Sequence, residues 1–179
     1  MKLDYLVIPE CYVDTTLIET IVPPDNKRGY NHQMGCNKVA SKMQNDFRDD
    51  FALGIIDKDK RTIKYLDEFN LIVSHENLLL YKHQNRPHFM IQISPAIEQF
   101  ILDSSAEIDL DLTHFGLKND LESLKQKTKK QTSKRDRQLI NLFKELKKQN
   151  ARQVVTLSKW ITYLKEKNFR SQIEEIIEL

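Results

Sequence analysis

Short apolar runs rich in β-forming residues alternate with stretches of helical periodicity along the first hundred residues. The runs at residues 3–8 and 51–56 are typical of buried strands. Three further β-like pieces follow at residues 71–74, 78–82 and 88–93. Strands that alternate with helices favour an α/β fold, in which a mostly parallel sheet is flanked by helices.

Helical periodicity separates and follows these strands. Apolar residues at helical spacing predict helices over residues 14–22 and 37–47, the first of them ended by two prolines. Asp14 directly precedes the first apolar positions, so we predict that it is the N-cap of that helix. After the last strand, Pro95 is expected in the first turn of a further helix, because proline is tolerated there.

The remainder of the chain is predicted to be helical after an irregular connector at residues 103–118. Two amphipathic helices are indicated by apolar residues at i, i+3, i+4 and i+7, and a short helix is predicted at residues 173–177. The supporting positions are Leu139, Leu142, Phe143 and Leu146, then Val154, Leu157, Ile161 and Leu164. We therefore predict an α/β domain at residues 1–102 and a helical, basic C-terminal region at residues 103–179, packed on it as a small lobe.

Composition narrows the class of protein. The chain has 179 residues, of which 40% are hydrophobic and 30% charged, and no apolar run is long enough to span a membrane. With no signal-peptide pattern at its start, the protein is expected to be cytoplasmic. Cys11 and Cys36 lack CxxC spacing, and the five histidines lack metal spacing, which argues against a zinc site.

The net charge of +2 hides an uneven distribution. Residues 118–152 contain twelve Lys and Arg against four Asp and Glu, whereas the rest of the chain has 16 basic and 22 acidic residues. A lysine-rich helix is often only a solvated surface, but such a basic region also suits contact with a polyanion. The candidate nucleic-acid-binding residues are Lys58, Lys60, Lys129, Lys130, Lys134, Arg135 and Arg137.

Acidic residues follow two of the predicted buried strands. Glu10 comes after the first strand, and Asp57 and Asp59 come directly after the run at residues 51–56. In open α/β sheets, ligands bind outside the carboxyl ends of the strands, and Mg²⁺ is commonly held there by one or two carboxylates and substrate phosphates. Glu10, Asp57 and Asp59 are therefore predicted to form a metal site, in which Glu10 is a further ligand or a general acid or base.

Three landmarks in order resemble the Toprim domain of topoisomerases, primases and overcoming-lysogenization-defect nucleases. A strand ends in Glu10, a helix follows, and a later strand ends in Asp57-Lys58-Asp59. The resemblance covers residues 3–102 and implies that Glu10 is the family glutamate and that Asp57 and Asp59 are its metal-binding pair. The start of the predicted helix after the last strand carries Glu98 and resembles the acidic helix start of the nuclease branch. This resemblance implies that Glu98 joins the metal site.

The resemblance implies a hydrolytic nuclease that uses Mg²⁺ or Mn²⁺, with Glu10, Asp57 and Asp59 as catalytic residues. It also implies a nucleic-acid substrate and, for small proteins of this type, an ATPase partner protein. The chain departs from the family where Cys11 follows Glu10, since the family usually has glycine there. No tyrosine nucleophile of a topoisomerase and no primase zinc spacing is recognised.

Other interpretations of the acidic residues, and of the function, stay open. Asp-Lys-Asp after a strand is often only a surface turn, and Glu98 is equally an ordinary first-turn acid favoured by the helix dipole. The chain is alternatively a non-catalytic module with a Toprim-like fold that binds nucleic acid or protein. A phosphatase of the Asp-x-Asp type ranks third, because that class carries its pair after the first strand.

Overall fold

Five strands form one mixed sheet in the computed structural model, which describes residues 3–58, 63–129 and 136–179. The strands lie in the order β1-β2-β5-β4-β3; the first three of these are parallel, and β4 is antiparallel to both of its neighbours. This confirms the predicted α/β class. Their bounds are Val7–Pro9 (β1), Ala52–Asp57 (β2), Phe69–His75 (β3), Leu78–His83 (β4) and His88–Ile93 (β5).

The antiparallel part of the sheet follows from a short connection. Only Glu76 and Asn77 lie between β3 and β4, and two residues permit a hairpin but not the crossover that parallel neighbours need. Glu76 adopts a positive φ of 50°, as such tight turns require. The sheet is therefore less uniformly parallel than the strand and helix pattern suggested.

Seven α-helices are formed by the described residues. The eight apolar positions predicted for the two amphipathic helices are all buried, and these helices, α5 and α6, pack against α1. The bounds are Tyr12–Ile21 (α1), Cys36–Asn45 (α2), Ile97–Glu107 (α3), Leu121–Thr128 (α4), Arg137–Lys148 (α5), Arg152–Lys167 (α6) and Ile173–Ile177 (α7). None of these helices is both long and apolar enough to cross a membrane.

Two predictions about the helices are wrong. Pro95 lies two residues before α3, in a cis peptide bond with Ser94, so the helix does not begin with it. The segment at residues 103–118 is not wholly irregular, because α3 continues to Glu107 and a 3₁₀ helix follows at Leu112–Phe115. Gly116 ends that 3₁₀ helix in the left-handed conformation, with φ of 71°.

The core is built around β2 and β5, the central strands. All residues of β5 are buried, including the polar His88 and Gln92, as are those of β2 before Asp57, which form a continuous apolar run. Gly54 lets α2 approach the sheet, since a Cβ there would lie 2.5 Å from Met90 Sδ and 2.9 Å from Met43 Sδ. Apolar residues of the sheet and of α5 and α6 belong to one cluster.

The polar connection before α2 covers the outer edge of β1. Asn31 N donates to Val7 O at 3.0 Å, Gln33 N to Pro9 O at 3.0 Å, and Gly35 N to Glu10 O at 3.2 Å. These bonds satisfy main-chain groups that an edge strand would otherwise leave unpaired. They also bring residues 31–35 to the carboxyl end of β1, beside Glu10.

A buried ion pair ties the N-terminal segment to α6. Lys165 Nζ lies 2.8 Å from Asp4 Oδ1, and the two residues are 7% and 1% exposed. Asp4 Oδ2 also accepts a hydrogen bond of 3.0 Å from Asn26 N, and Lys165 Nζ donates to Tyr30 Oη at 3.3 Å. A buried charge pair needs such additional hydrogen bonds to offset its desolvation.

Candidate functional site

The carboxyl ends of β1, β2 and β5 lie at one edge of the sheet and bring Glu10 and Asp57 together. Glu10 N donates to Ile55 O at 2.9 Å, which continues the strand pairing beyond β1. The Glu10 side chain turns back, so that its Oε2 accepts a 3.0 Å hydrogen bond from Asp57 N. Asp57 Oδ1 accepts from Ile97 N at 3.0 Å, so this carboxylate caps the start of α3, where Ala96 has no capping side chain.

Glu98 lies in the first turn of α3 and links the acidic edge to the C-terminal helices. Its side chain is buried and accepts a hydrogen bond from the hydroxyl of Thr128, the last residue of α4. The structure therefore places Glu10, Asp57 and Glu98 at the same edge of the sheet. Asp59, the other predicted metal ligand, lies outside the described residues.

Asp14 is not the N-cap of α1, so that prediction is wrong. The N-cap is Cys11, and Asp14 occupies the third position of the helix in a reciprocal capping box. Asp14 N donates to Cys11 Sγ at 3.4 Å, and Cys11 N donates to Asp14 Oδ2 at 3.1 Å. The sulfur performs the capping role that serine or threonine usually has, and this exchange holds Asp14 fully buried.

Asp14, which is fully buried, and Asp57, which is partly buried, lie in an acidic environment. Burial, followed by the charges of Asp14, Glu10 and Glu98, holds the pKa of Asp57 well above its usual range, although the bond from Ile97 N opposes this. Burial likewise raises the pKa of Asp14, with contributions from Glu10 and Glu98. Asp14 Oδ1 is buried and has no hydrogen-bond partner among the residues that the structure describes. Without a cation, burial therefore favours the protonated forms of Asp57 and Asp14.

Cys11 is a structural thiol in this setting. Burial and the nearby Asp14 carboxyl raise the pKa of the Cys11 thiol far above its ordinary value. A thiol acts as a nucleophile only as the thiolate. Cys11, the residue that follows Glu10, therefore caps α1 and supplies no nucleophile.

Glu10, Asp57 and Glu98 line one open cavity of about 720 Å³, and three lysines line the same cavity. Lys58 follows β2, while Lys125 and Lys129 come from the C-terminal end of α4. Lys125 also pairs with Glu122 at 2.9 Å on the same helix. Two lysines of the basic region thus line the same cavity as the acidic residues, which brings two separate features of the sequence into one site.

Of the candidate nucleic-acid-binding residues, Lys58 and Lys129 line this cavity. Arg137 is exposed at the first position of α5 and is not part of the lining. The others, Lys60, Lys130, Lys134 and Arg135, lie outside the described residues. Lys125 and Thr128 were not selected from the sequence. Lys125 lies four residues before Lys129, and Thr128 lies directly before it, so this spacing would have placed all three near one helix end.

The donor set suits a hard divalent cation, which takes carboxylate oxygens and retains several waters. Glu10, Asp57 and Glu98 line the cavity and supply such oxygens. Among residues 3–58, 63–129 and 136–179, however, no three Asp, Glu, His or Cys side chains converge closely enough to hold an ion on their own. A cation here would need water, substrate oxygens or further protein ligands.

Comparison of the chain with protein-family models, with curated proteins and with solved structures finds no match. The Toprim-like character of the fold therefore stays a prediction from the sequence. The fold and the site define an α/β protein with a cavity at the carboxyl edge of its sheet that both acidic residues and lysines line.

Proposed function

We propose that this protein is a Toprim-like, Mg²⁺- or Mn²⁺-dependent phosphodiester hydrolase that acts on DNA or RNA. The observation that carries the proposal is the composition of one cavity, lined by Glu10, Asp57 and Glu98 and by three lysines. Carboxylates alone repel a polyanion, and lysines alone do not hold a divalent cation. Their combination suits a substrate that brings phosphate to a metal ion.

Glu10, Asp57 and Glu98 would hold the cation, together with Asp59 as the sequence predicts. Bound Mg²⁺ or Mn²⁺ supplies Lewis-acid stabilisation of the charge that develops on the phosphoryl oxygens. Asp57 is fixed by the bond from Ile97 N, and Glu98 by the bond from Thr128, so neither carboxylate depends on substrate for its position. Preformed ligands of this kind avoid reorganisation during the reaction.

The lysines would neutralise the substrate. Lys58, Lys125 and Lys129 would bind the phosphates on either side of the scissile bond, because ammonium groups neutralise backbone phosphates. Glu10 would serve as a ligand or as the base that accepts a proton from the attacking water. These lysines include two from the C-terminal helical region, so that region would be part of the substrate site.

A non-catalytic module that binds nucleic acid or protein is the second candidate function. The observation that favours it is the present use of the carboxylates, since Glu10 and Asp57 each bind a main-chain N–H and no three donors converge among the described residues. In that case the acids would be structural caps and the lysines alone would bind the partner. Metal binding distinguishes the two functions.

Titration of Mg²⁺ or Mn²⁺ by calorimetry at pH 7 should show binding that releases protons. The reason is the raised pKa of Asp57 and Asp14, which hold protons that a cation displaces. Comparing buffers of different ionisation enthalpy measures the number of protons. Asp57→Asn should abolish the binding, and its matched control is Asp109→Asn, at an exposed position with φ of 54° that asparagine tolerates.

The control should bind the metal like the wild-type protein. Absence of metal binding by the wild-type protein, or equal binding by the wild-type protein and Asp57→Asn, would contradict the enzymatic function. Either result would leave the non-catalytic module as the better account.

A further inference from the structure

Two aromatic rings are stacked beside the acidic edge. The rings of Tyr12 and His32 have centroids 4.3 Å apart and planes inclined by 18°. Both side chains are partly exposed, and Met34, next to them, is 51% exposed, with its Sδ 3.2 Å from His32 Nε2. The other ring pairs among the described residues are tilted or edge-on, whereas the Tyr12 and His32 rings are stacked.

The orientation of His32 is fixed by hydrogen bonding. Thr15 Oγ1 lies 2.9 Å from His32 Nδ1 and also donates to Cys11 O at 2.7 Å. A hydroxyl has one hydrogen, so with that hydrogen directed at Cys11 O the Thr15 oxygen accepts from His32 Nδ1–H. The imidazole is thus held in one position before any ligand arrives, which lowers the entropy cost of stacking on it.

The stack adjoins the candidate active site. Tyr12 is the first residue of α1, two positions after Glu10, and its neighbours Cys11 and Val13 line the acidic cavity. His32 lies between Asn31 and Gln33, whose N–H groups bind Val7 O and Pro9 O of β1. The rings are therefore anchored to the same strand end that presents Glu10.

We infer that the Tyr12–His32 pair, flanked by Met34, binds an unstacked nucleobase, so that the substrate class is single-stranded nucleic acid; this inference rests on the proposed function. Aromatic side chains bind the π-faces of bases in a way that tolerates any base sequence. A base inside a duplex is already stacked on both faces and does not present them. The lysines at the cavity bind the phosphates, and the rings bind a neighbouring base.

Equilibrium binding of fluorescent oligonucleotides, measured in EDTA so that no cleavage occurs, tests this inference. The probes are single strands of about twelve nucleotides, as DNA and as RNA, their duplexes, and a single strand of abasic sites. Single strands should bind more tightly than duplexes. Because stacking contributes about 1–3 kcal/mol per base, His32→Ala should weaken single-strand binding about 5- to 150-fold and leave duplex binding unchanged.

The controls separate stacking from a general loss of structure. His32→Phe and Tyr12→Phe keep the rings and should retain most of the affinity for single strands. His114→Ala removes an exposed histidine that does not line the cavity and should have no effect. The abasic strand should bind equally to the wild-type protein and to His32→Ala.

Three results would overturn the inference: equal affinity for single strands and duplexes, an equal loss of both in His32→Ala, or an abasic strand that still distinguishes His32→Ala from the wild-type protein. Failure of the proposed function is recognised separately, as the absence of metal binding and of cleavage. A protein that cleaves nucleic acid but shows any of the three results would refute only the stacking inference.

Discussion

Replacing Asp57 by asparagine is expected to abolish metal-dependent cleavage and, at the same time, to stabilise the metal-free protein. Mutation of residues that merely orient metal ligands typically costs about 10–100-fold in metal affinity or activity, so loss of a direct ligand should cost at least about 100-fold. Asparagine keeps an oxygen that accepts the bond from Ile97 N, so the cap of α3 is preserved.

The stabilisation follows from the pKa of Asp57. Burial and three neighbouring acids raise the folded-state pKa of Asp57 above the value of about 4 expected in the unfolded chain. Below about pH 4 the Asp57 carboxyl is protonated in both the folded and the unfolded chain, so its titration does not reduce stability. As the pH rises towards the folded-state pKa, the unfolded chain loses this proton first, and the free energy of unfolding falls. Asparagine does not titrate, so the variant escapes this loss, and the difference from the wild-type protein should grow with pH.

Thermal unfolding in EDTA at about pH 5 and pH 8 measures this effect. A gain of about 1 kcal/mol at the higher pH would raise Tm by about 2–4 °C in a chain of this size. Some loss of stability with pH should remain in the variant, because burial also raises the pKa of Asp14. Parallel loss of stability in both proteins would show that Asp57 is not the titrating group.

Lys165→Met is expected to cause the largest loss of stability. The substitution keeps the apolar stem but leaves the Asp4 carboxylate, which is 1% exposed, without its partner at 2.8 Å. Breaking a buried ion pair by removing one member typically costs about 3–5 kcal/mol. For a chain of this size that corresponds to a fall in Tm of about 6–20 °C, measured at pH 7.

Two further variants check the cause. Lys159→Met alters an exposed lysine of the same helix and should change the free energy of unfolding by no more than about 0.5 kcal/mol. Asp4→Leu combined with Lys165→Met removes both charges and should recover much of the lost stability. Equal stability of the double variant and Lys165→Met would show that the unpaired Asp4 charge is not responsible.

The parts of the fold that the sequence predicted are those with a strong local signal. Leu139, Leu142, Phe143 and Leu146 repeat at helical spacing and are buried as predicted. The apolar run at residues 51–56 and the β-like piece at residues 88–93 form the neighbouring strands β2 and β5. The direction of β4 was harder to predict, since it depends on the two-residue turn at Glu76 and Asn77. That turn lacks the glycine that usually marks a hairpin.

The site could be predicted only in part, because its geometry depends on contacts between distant segments. Strand ends predicted that Glu10 and Asp57 share one edge of the sheet, and the structure places them there. The burial of Asp14 required the unusual Cys11 cap, and residue type alone favoured the ordinary N-cap interpretation. The approach of Lys125 and Thr128 depends on the packing of α4 against α3, which no local pattern encodes.

The most direct test of the central claim is cleavage of a mixture of single- and double-stranded DNA and RNA, with and without Mg²⁺ or Mn²⁺. Wild-type protein should cleave only with metal, and Glu10→Gln, which keeps an oxygen for the bond from Asp57 N, should lower the rate by about 10²–10⁴-fold. Glu166→Gln, at an exposed position of α6, should cleave like the wild-type protein. Equal cleavage by Glu10→Gln and the wild-type protein, or cleavage that persists in EDTA, would contradict a metal-dependent site at this edge of the sheet.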